Sequence, residues 1–130
     1  MKKGFTLIEL LIVMAIIAAL MSVATPVGIN ALSQAKATNV AANFSTLQKA
    51  LMQLIMFEQN IPTNVDLVDY LYTNGYITNK PQGFEIVYND TDKSYIIRHL
   101  NTDVDPIKVK SINPSVQIDT NNKLILKVAK

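Results

Sequence analysis

Few residues in this 130-residue chain stand in a pattern that could carry out a reaction. His99 is the single histidine and sits beside Arg98. One histidine without a matched nucleophile and acid is weak ground for general-base chemistry, and a place on a sheet surface or edge accounts for it. There is no cysteine, which removes thiol catalysis, disulfide scaffolds and cysteine-bound metals. The pairs Asp90/Asp92 and Asp103/Asp105 resemble fragments of calcium loops, but neither has the glycine and distal glutamate of an EF-hand. Turn chemistry accounts for them otherwise. No glycine-rich phosphate loop occurs. The chain is therefore expected not to be an enzyme and to need no cofactor.

The residue that asks for an explanation is Glu9. It is the one charge in the 21 positions from Phe5 to Thr25, in a chain that is 17% charged. A carboxylate in a membrane helix costs roughly 2.5–3.5 kcal/mol at the helix centre and somewhat less toward an end. The formal net charge is +2, and Lys2 and Lys3 supply both of those positives. The remainder is balanced, so the globular part lacks the basic face that nucleic acid requires, and no nucleic-acid partner is expected for it.

The element that must carry Glu9 is an apolar helix. Leu10 to Met21 is an unbroken apolar run, and Phe5 to Thr25 would rise about 31 Å, close to the hydrocarbon thickness of a bilayer. Lys2 and Lys3 precede the run and no further Lys or Arg occurs until Lys36, which puts the N-terminus in the cytoplasm. Three readings compete. A secretory signal needs a small-x-small cleavage site, for which Ser22-Val23-Ala24 is a weak substitute. A plain signal anchor explains the length and the lysines but leaves Glu9 unexplained.

The third reading uses every residue. Met1-Lys2-Lys3-Gly4 followed by Phe5-Thr6-Leu7-Ile8-Glu9-Leu10-Leu11-Ile12-Val13 resembles the class III signal of type IV prepilins and pseudopilins, and the match runs to about Pro26. The resemblance implies cleavage after Gly4 on the cytoplasmic face by a prepilin peptidase. It also implies a mature chain that begins at an N-methylated Phe5 and keeps its apolar helix. Gly4, having no side chain, lets a peptidase approach the backbone closely. In the family the glutamate corresponding to Glu9 is thought to pair with the free amine of a neighbouring subunit's first residue. A carboxylate among Leu and Ile gains little by staying unpaired, so such a pair would select a register between helices. Thr6 stands in the same motif, and Pro26 occupies the place where these proteins commonly carry a helix-loosening proline.

After Pro26 the pattern becomes one-sided. Ala35, Ala37, Val40, Phe44, Leu47, Leu51, Leu54 and Ile55 recur at spacings of three and four, which predicts an amphipathic helix to about Glu58. Its larger residues should cover a small sheet. The alanine-rich stretch from Ala31 to Ala42 has little bulk and is suited to packing on helices of other subunits. Thr63 is read as the cap of a short helix from Val65 to Tyr72 stopped at Gly75. Phe84–Tyr88 and Ser94–Leu100 read as one hairpin, and Val116–Ile118 with Lys123–Val128 as a second. Residues 101–113 read as loop, with a short strand at Ile107–Val109. Tyr70, Tyr72 and Tyr76 are read as core and rim residues. Asn43-Phe44-Ser45 and Asn89-Asp90-Thr91 match the glycosylation acceptor pattern, which the abundance of Asn explains as coincidence.

The expected fold class is thus α+β, a long N-terminal helix packed against a small antiparallel sheet, as in type IV pilins. The expected divisions are a leader at 1–4, a transmembrane and assembly helix at 5–25, the amphipathic half of the long helix at 26–58 and a head at 59–130. A head of this size is near the lower limit for folding alone. Some pseudopilins bind calcium in a C-terminal loop, which leaves Asp103 and Asp105 as candidate ligands by resemblance. The resemblance implies a structural subunit of a type IV pilus. Its expected partners are other pilin subunits, the membrane, the prepilin peptidase and the assembly platform. A pseudopilin of a type II secretion or DNA-uptake system is the alternative within the family. The alternative of another class is a membrane-tethered binding domain that never polymerises, against which Gly4 and Glu9 speak. The expected location is the membrane before assembly, and an extracellular pilus or periplasmic pseudopilus afterwards.

Overall fold

A computed structural model describes residues 4–130, so Met1, Lys2 and Lys3, including the two lysines of the orientation argument, lie outside the described residues. One helix, α1, runs from Leu7 to Phe57 over 51 residues with Pro26 inside it. The chain divides into two compact units, one ending at Gln34 and one spanning Ala35–Lys130.

In the first unit the large side chains are all open. Leu7, Ile8, Leu11, Met14, Ile17, Leu20, Met21 and Val23 are each at least half exposed. Apolar residues around the whole circumference give no preferred inner face, as expected of a helix meant for lipid or for other helices. α1 is long and apolar enough to cross a membrane.

The second unit is built where the pattern turns one-sided. Ala37, Ala41, Phe44, Leu47, Ala50, Leu51 and Leu54 form the buried face of α1. Behind it stand α2 (Leu67–Thr73), β1 (Phe84–Asn89), β2 (Ser94–His99), α3 (Pro106–Ile112), β3 (Gln117–Ile118) and β4 (Leu124–Ala129). The four strands are antiparallel in the order β1-β2-β4-β3. Pairings Phe84 to His99, Ile86 to Ile97 and Tyr95 to Val128 set one face of the sheet. That face carries Phe84, Ile86, Tyr95, Ile97, His99, Leu124, Leu126 and Val128, all buried. The alternate residues Glu85, Val87, Ile96, Arg98, Ile125 and Lys127 take the other face, as strand periodicity requires. Burying each of Phe44, Leu47, Leu51 and Leu54 stabilises the packing by about 1.5–3 kcal/mol. The expected long helix on a small antiparallel sheet is what the chain forms.

Four local expectations need correction. Asp66, not Thr63, caps α2: its Oδ1 accepts from the Val68 amide at 3.0 Å, while the Thr63 hydroxyl donates to Asn64 Oδ1. Residues 107–109 are helix rather than strand, because Asp105 accepts from the Ile107 amide at 3.0 Å and Pro106 opens the first turn. Proline at that place lacks only an amide that the first turn leaves unpaired anyway. Ala37 and Ala41 are buried in the head's own core, so only part of Ala31–Ala42 remains for other helices. His99 is buried, because strand alternation puts it on the core face with Ile97.

Gly83, which precedes β1, has φ of +76°, and a Cβ there would meet the Asn101 side chain. The positive φ is what calls for glycine, since the end of the exposed Asn101 side chain can swing aside. The capped start of α3 is open to a direct test. Asp105→Ala should lower stability by about 1 kcal/mol, read as a fall in the thermal midpoint, whereas Asp105→Asn should leave it nearly unchanged.

Candidate functional site

Thr6 and Glu9 form a closed pair at the start of α1. The Thr6 carbonyl accepts from the Leu10 amide at 3.2 Å, which makes Thr6 the cap of the helix. Its Oγ1 accepts from the Glu9 amide at 3.1 Å, and the Glu9 Oε2 accepts from the Thr6 amide at 3.4 Å. This is the reciprocal capping box, in which threonine and a glutamate three residues on satisfy two amides left over by the helix end. The partial positive charge of the helix N-terminus also favours a carboxylate there. Thr6-x-x-Glu9 was legible in the sequence as a helix start, a signal overshadowed by the apolar run behind it.

Phe5 and Glu9 are exposed, Phe5 by 83%. Phe5 precedes the cap and Leu10 is the fourth helical residue, which are the two positions of a hydrophobic staple. A Cβ added at Gly4 would meet nothing within 4 Å. The fold therefore places no steric demand on Gly4, and any requirement for glycine there must come from an outside partner. Gly4, Phe5, Thr6 and Glu9 line one open depression at the helix start.

Pro26 does not interrupt α1. Its ring has no amide to give, so the Ser22 carbonyl one turn earlier loses its helical donor. The Ser22 hydroxyl meanwhile donates to the Ala19 carbonyl at 2.7 Å. Gly28 follows two residues on with open space at its Cβ position, and glycine within a helix costs about 1 kcal/mol against alanine. Within α1, Pro26 thus removes one rung of the ladder, at the Ser22 carbonyl.

The other polar candidates serve the head. His99 packs with its ring centroid 4.9 Å from Phe84 and 6.5 Å from Phe44, and its Nδ1 is buried without a hydrogen-bond partner. Burial lowers its pKa, opposed by the Asp103 charge and by a hydrogen bond that the ring donates to the Asn101 backbone. Asp105 is engaged as the cap of α3. Among the described residues no group of three or more His, Asp or Glu side chains converges as a metal site would require. Tyr72 is half exposed, while Tyr70 and Tyr76 donate their hydroxyls to the two oxygens of Glu58 at 2.6 and 3.5 Å. Both phenols are pushed up, Tyr70 chiefly by the Glu58 hydrogen bond and Tyr76 chiefly by burial. This clamp ties the residue just past α1 to α2. It escaped the sequence because its members are 12 and 18 positions apart with no shared pattern.

Compared with known proteins, residues 1–25 match the prokaryotic N-terminal methylation motif. No curated protein and no solved structure matches the chain.

The buried histidine sets a pH dependence. Its folded pKa lies below the ordinary 6.5, so the neutral ring is the form the fold favours. The stability it contributes is complete above about pH 6.5 and is lost as the pH falls toward the folded value. The urea midpoint of the head should therefore decline between pH 7 and pH 5. His99→Phe, which keeps the ring and cannot titrate, should flatten that decline.

Proposed function

Because the methylation motif at residues 1–25 supports a type IV pilin or pseudopilin family for this chain, we propose that it is a structural subunit of a type IV pilus. The motif points to a structural prepilin rather than an enzyme, and with the apolar helix it supports membrane anchoring. The observation that carries the reading is the junction itself. Gly4, free of any steric role in the fold, directly precedes Phe5 and the Thr6–Glu9 cap at the head of a helix apolar on all sides.

In this reading the helix lies in the bilayer with its N-terminus in the cytoplasm. A prepilin peptidase cuts after Gly4, which removes Lys2 and Lys3 and their charge from the helix end. Phe5 becomes an amine one residue before the cap and is then methylated. The Thr6–Glu9 box holds one carboxylate oxygen, and the other, which no donor meets among the described residues, takes the amine of a neighbouring subunit. The rung missing at Pro26 lets the helix adjust as it leaves lipid for the filament. The assembled head stands outside the cell. A pseudopilin would use the same junction.

Glu9→Gln should leave membrane insertion unchanged and reduce filament yield by tenfold or more, on the order of 1.4 kcal/mol per contact, measured by shearing and electron microscopy. A normal yield would refute the role given to the carboxylate. Gly4→Leu should block processing, so that mass spectrometry finds no chain beginning at Phe5. Filaments whose dominant subunit begins at Phe5 would support pilus over pseudopilus, and a subunit found only in short periplasmic assemblies would reverse that choice.

A further inference from the structure

β1 is an outer strand of the sheet. The Leu100 amide donates to the Gly83 carbonyl at 2.7 Å, in the same register as the pairs between β1 and β2. Bonded and non-bonded pairs alternate along an antiparallel ladder. Glu85 with Arg98 and Val87 with Ile96 therefore exchange hydrogen bonds. Phe84, Ile86 and Tyr88 turn their N–H and C=O groups the other way, to the free edge. Among the described residues no hydrogen-bond partner meets the backbone of Ile86 or Tyr88 on that side.

Proteins usually blunt such an edge with proline, lysine or a bulge. The six residues of β1 contain neither proline nor lysine. A groove of about 450 Å³ runs along it, walled on one side by Glu85, Ile86, Val87 and Tyr88 and on the other by the segment from Thr63 to Asp66. Two carboxylates, Asp66 and Glu85, line it and no basic side chain does. Glu85 reaches Arg98 on the neighbouring strand at 3.3 Å, an exposed pair of small worth that a better-placed cation can replace. Val65, half exposed, and Val87 supply the apolar part of the walls.

We infer that this edge binds an extended peptide segment in which basic and apolar residues alternate, added to the sheet as a further strand. Main-chain hydrogen bonds to Ile86 and Tyr88 hold the peptide, and the carboxylates of Glu85 and Asp66 select basic over acidic side chains. The occupant is a peptide strand from another protein, because the edge offers an acidic rim and β1 itself carries no basic residue to complement it in a second copy.

The test uses the full chain in zwitterionic micelles with two fluorescein-labelled peptides, KVKVK and EVEVE. The basic peptide should bind and raise the anisotropy, with the acidic peptide at least tenfold weaker. Hydrogen exchange at the Ile86 and Tyr88 amides, fast in the free chain, should slow when KVKVK is added. The double variant D66N/E85Q should weaken KVKVK by about tenfold, two exposed charge pairs' worth. Asparagine at 66 keeps the helix cap, so the fold is preserved. Equal binding of the two peptides would overturn the inference, as would protection that appears away from β1. Ile86 and Tyr88 amides already protected in a dimeric free chain would also overturn it, in favour of a second copy on the edge.

Discussion

The sheet has one apolar face and too few residues to bury it unaided, so the molecule depends on the contact between that face and the later half of α1. Phe44 meets Phe84 edge-on at 5.0 Å between ring centroids. Leu47, Leu51 and Leu54 follow along the helix, each fully buried. Remove the helix and the strands keep their ladders but lose the surface that makes those ladders stable. A head near the lower size limit thus borrows its core from a helix whose other half has no place in that core.

This sharing constrains the sequence of α1 in two ways at once. Up to Met21 the residues are apolar on every side, which suits lipid or other apolar helices but gives no one-sided stripe. From Ala37 the stripe is one-sided, and the opposite side carries Lys36, Thr38, Asn39, Thr46, Lys49 and Gln53. The break between the two patterns falls in the stretch containing Pro26 and Gly28, where the proline removes one rung of the backbone ladder. A helix that must serve two surroundings is best loosened between them, since strain from one half is then not carried into the packing of the other.

Much of this is legible in the sequence. Spacings of three and four fixed the buried face of α1, and alternation gave β1, β2 and β4 to within a residue or two. What failed had local causes. Residues 101–113 read as loop, although an aspartate before a proline is as good a helix start as a turn. Thr63 reads as the cap by residue type, but the helix starts later, at Leu67, so that Asp66 is the residue in place to hold the Val68 amide. His99 was assigned to the surface by residue type, yet its register with Phe84 put it inside. The Glu58 clamp was out of reach, since nothing in the chain says that Tyr70 and Tyr76 will meet one carboxylate. At the helix start the residues Gly4, Phe5 and Glu9 were picked out by motif, while the physical tie between Thr6 and Glu9 came from the geometry.

That tie changes how the acid in the apolar helix is to be understood. A lone carboxylate in an apolar membrane helix would be penalised, by less near the helix end than the roughly 2.5–3.5 kcal/mol of the helix centre. Within one chain, Oε2 already accepts the Thr6 amide and the helix N-terminus adds a favourable field. Neither removes the negative charge. Among the described residues no donor meets the other oxygen, and the side chains beside it on the helix, Ile8 and Leu10, have none to offer. The capping box therefore fixes where the charge points while leaving it uncompensated. A cation brought to that height along the helix would offset part of that deficit, less the cost of its own lost hydration. Replacement of Thr6 by valine would remove the hydroxyl that accepts the Glu9 amide but keep the residue-6 amide that holds Oε2, so the direction of the carboxylate rests on the backbone and not on the threonine side chain.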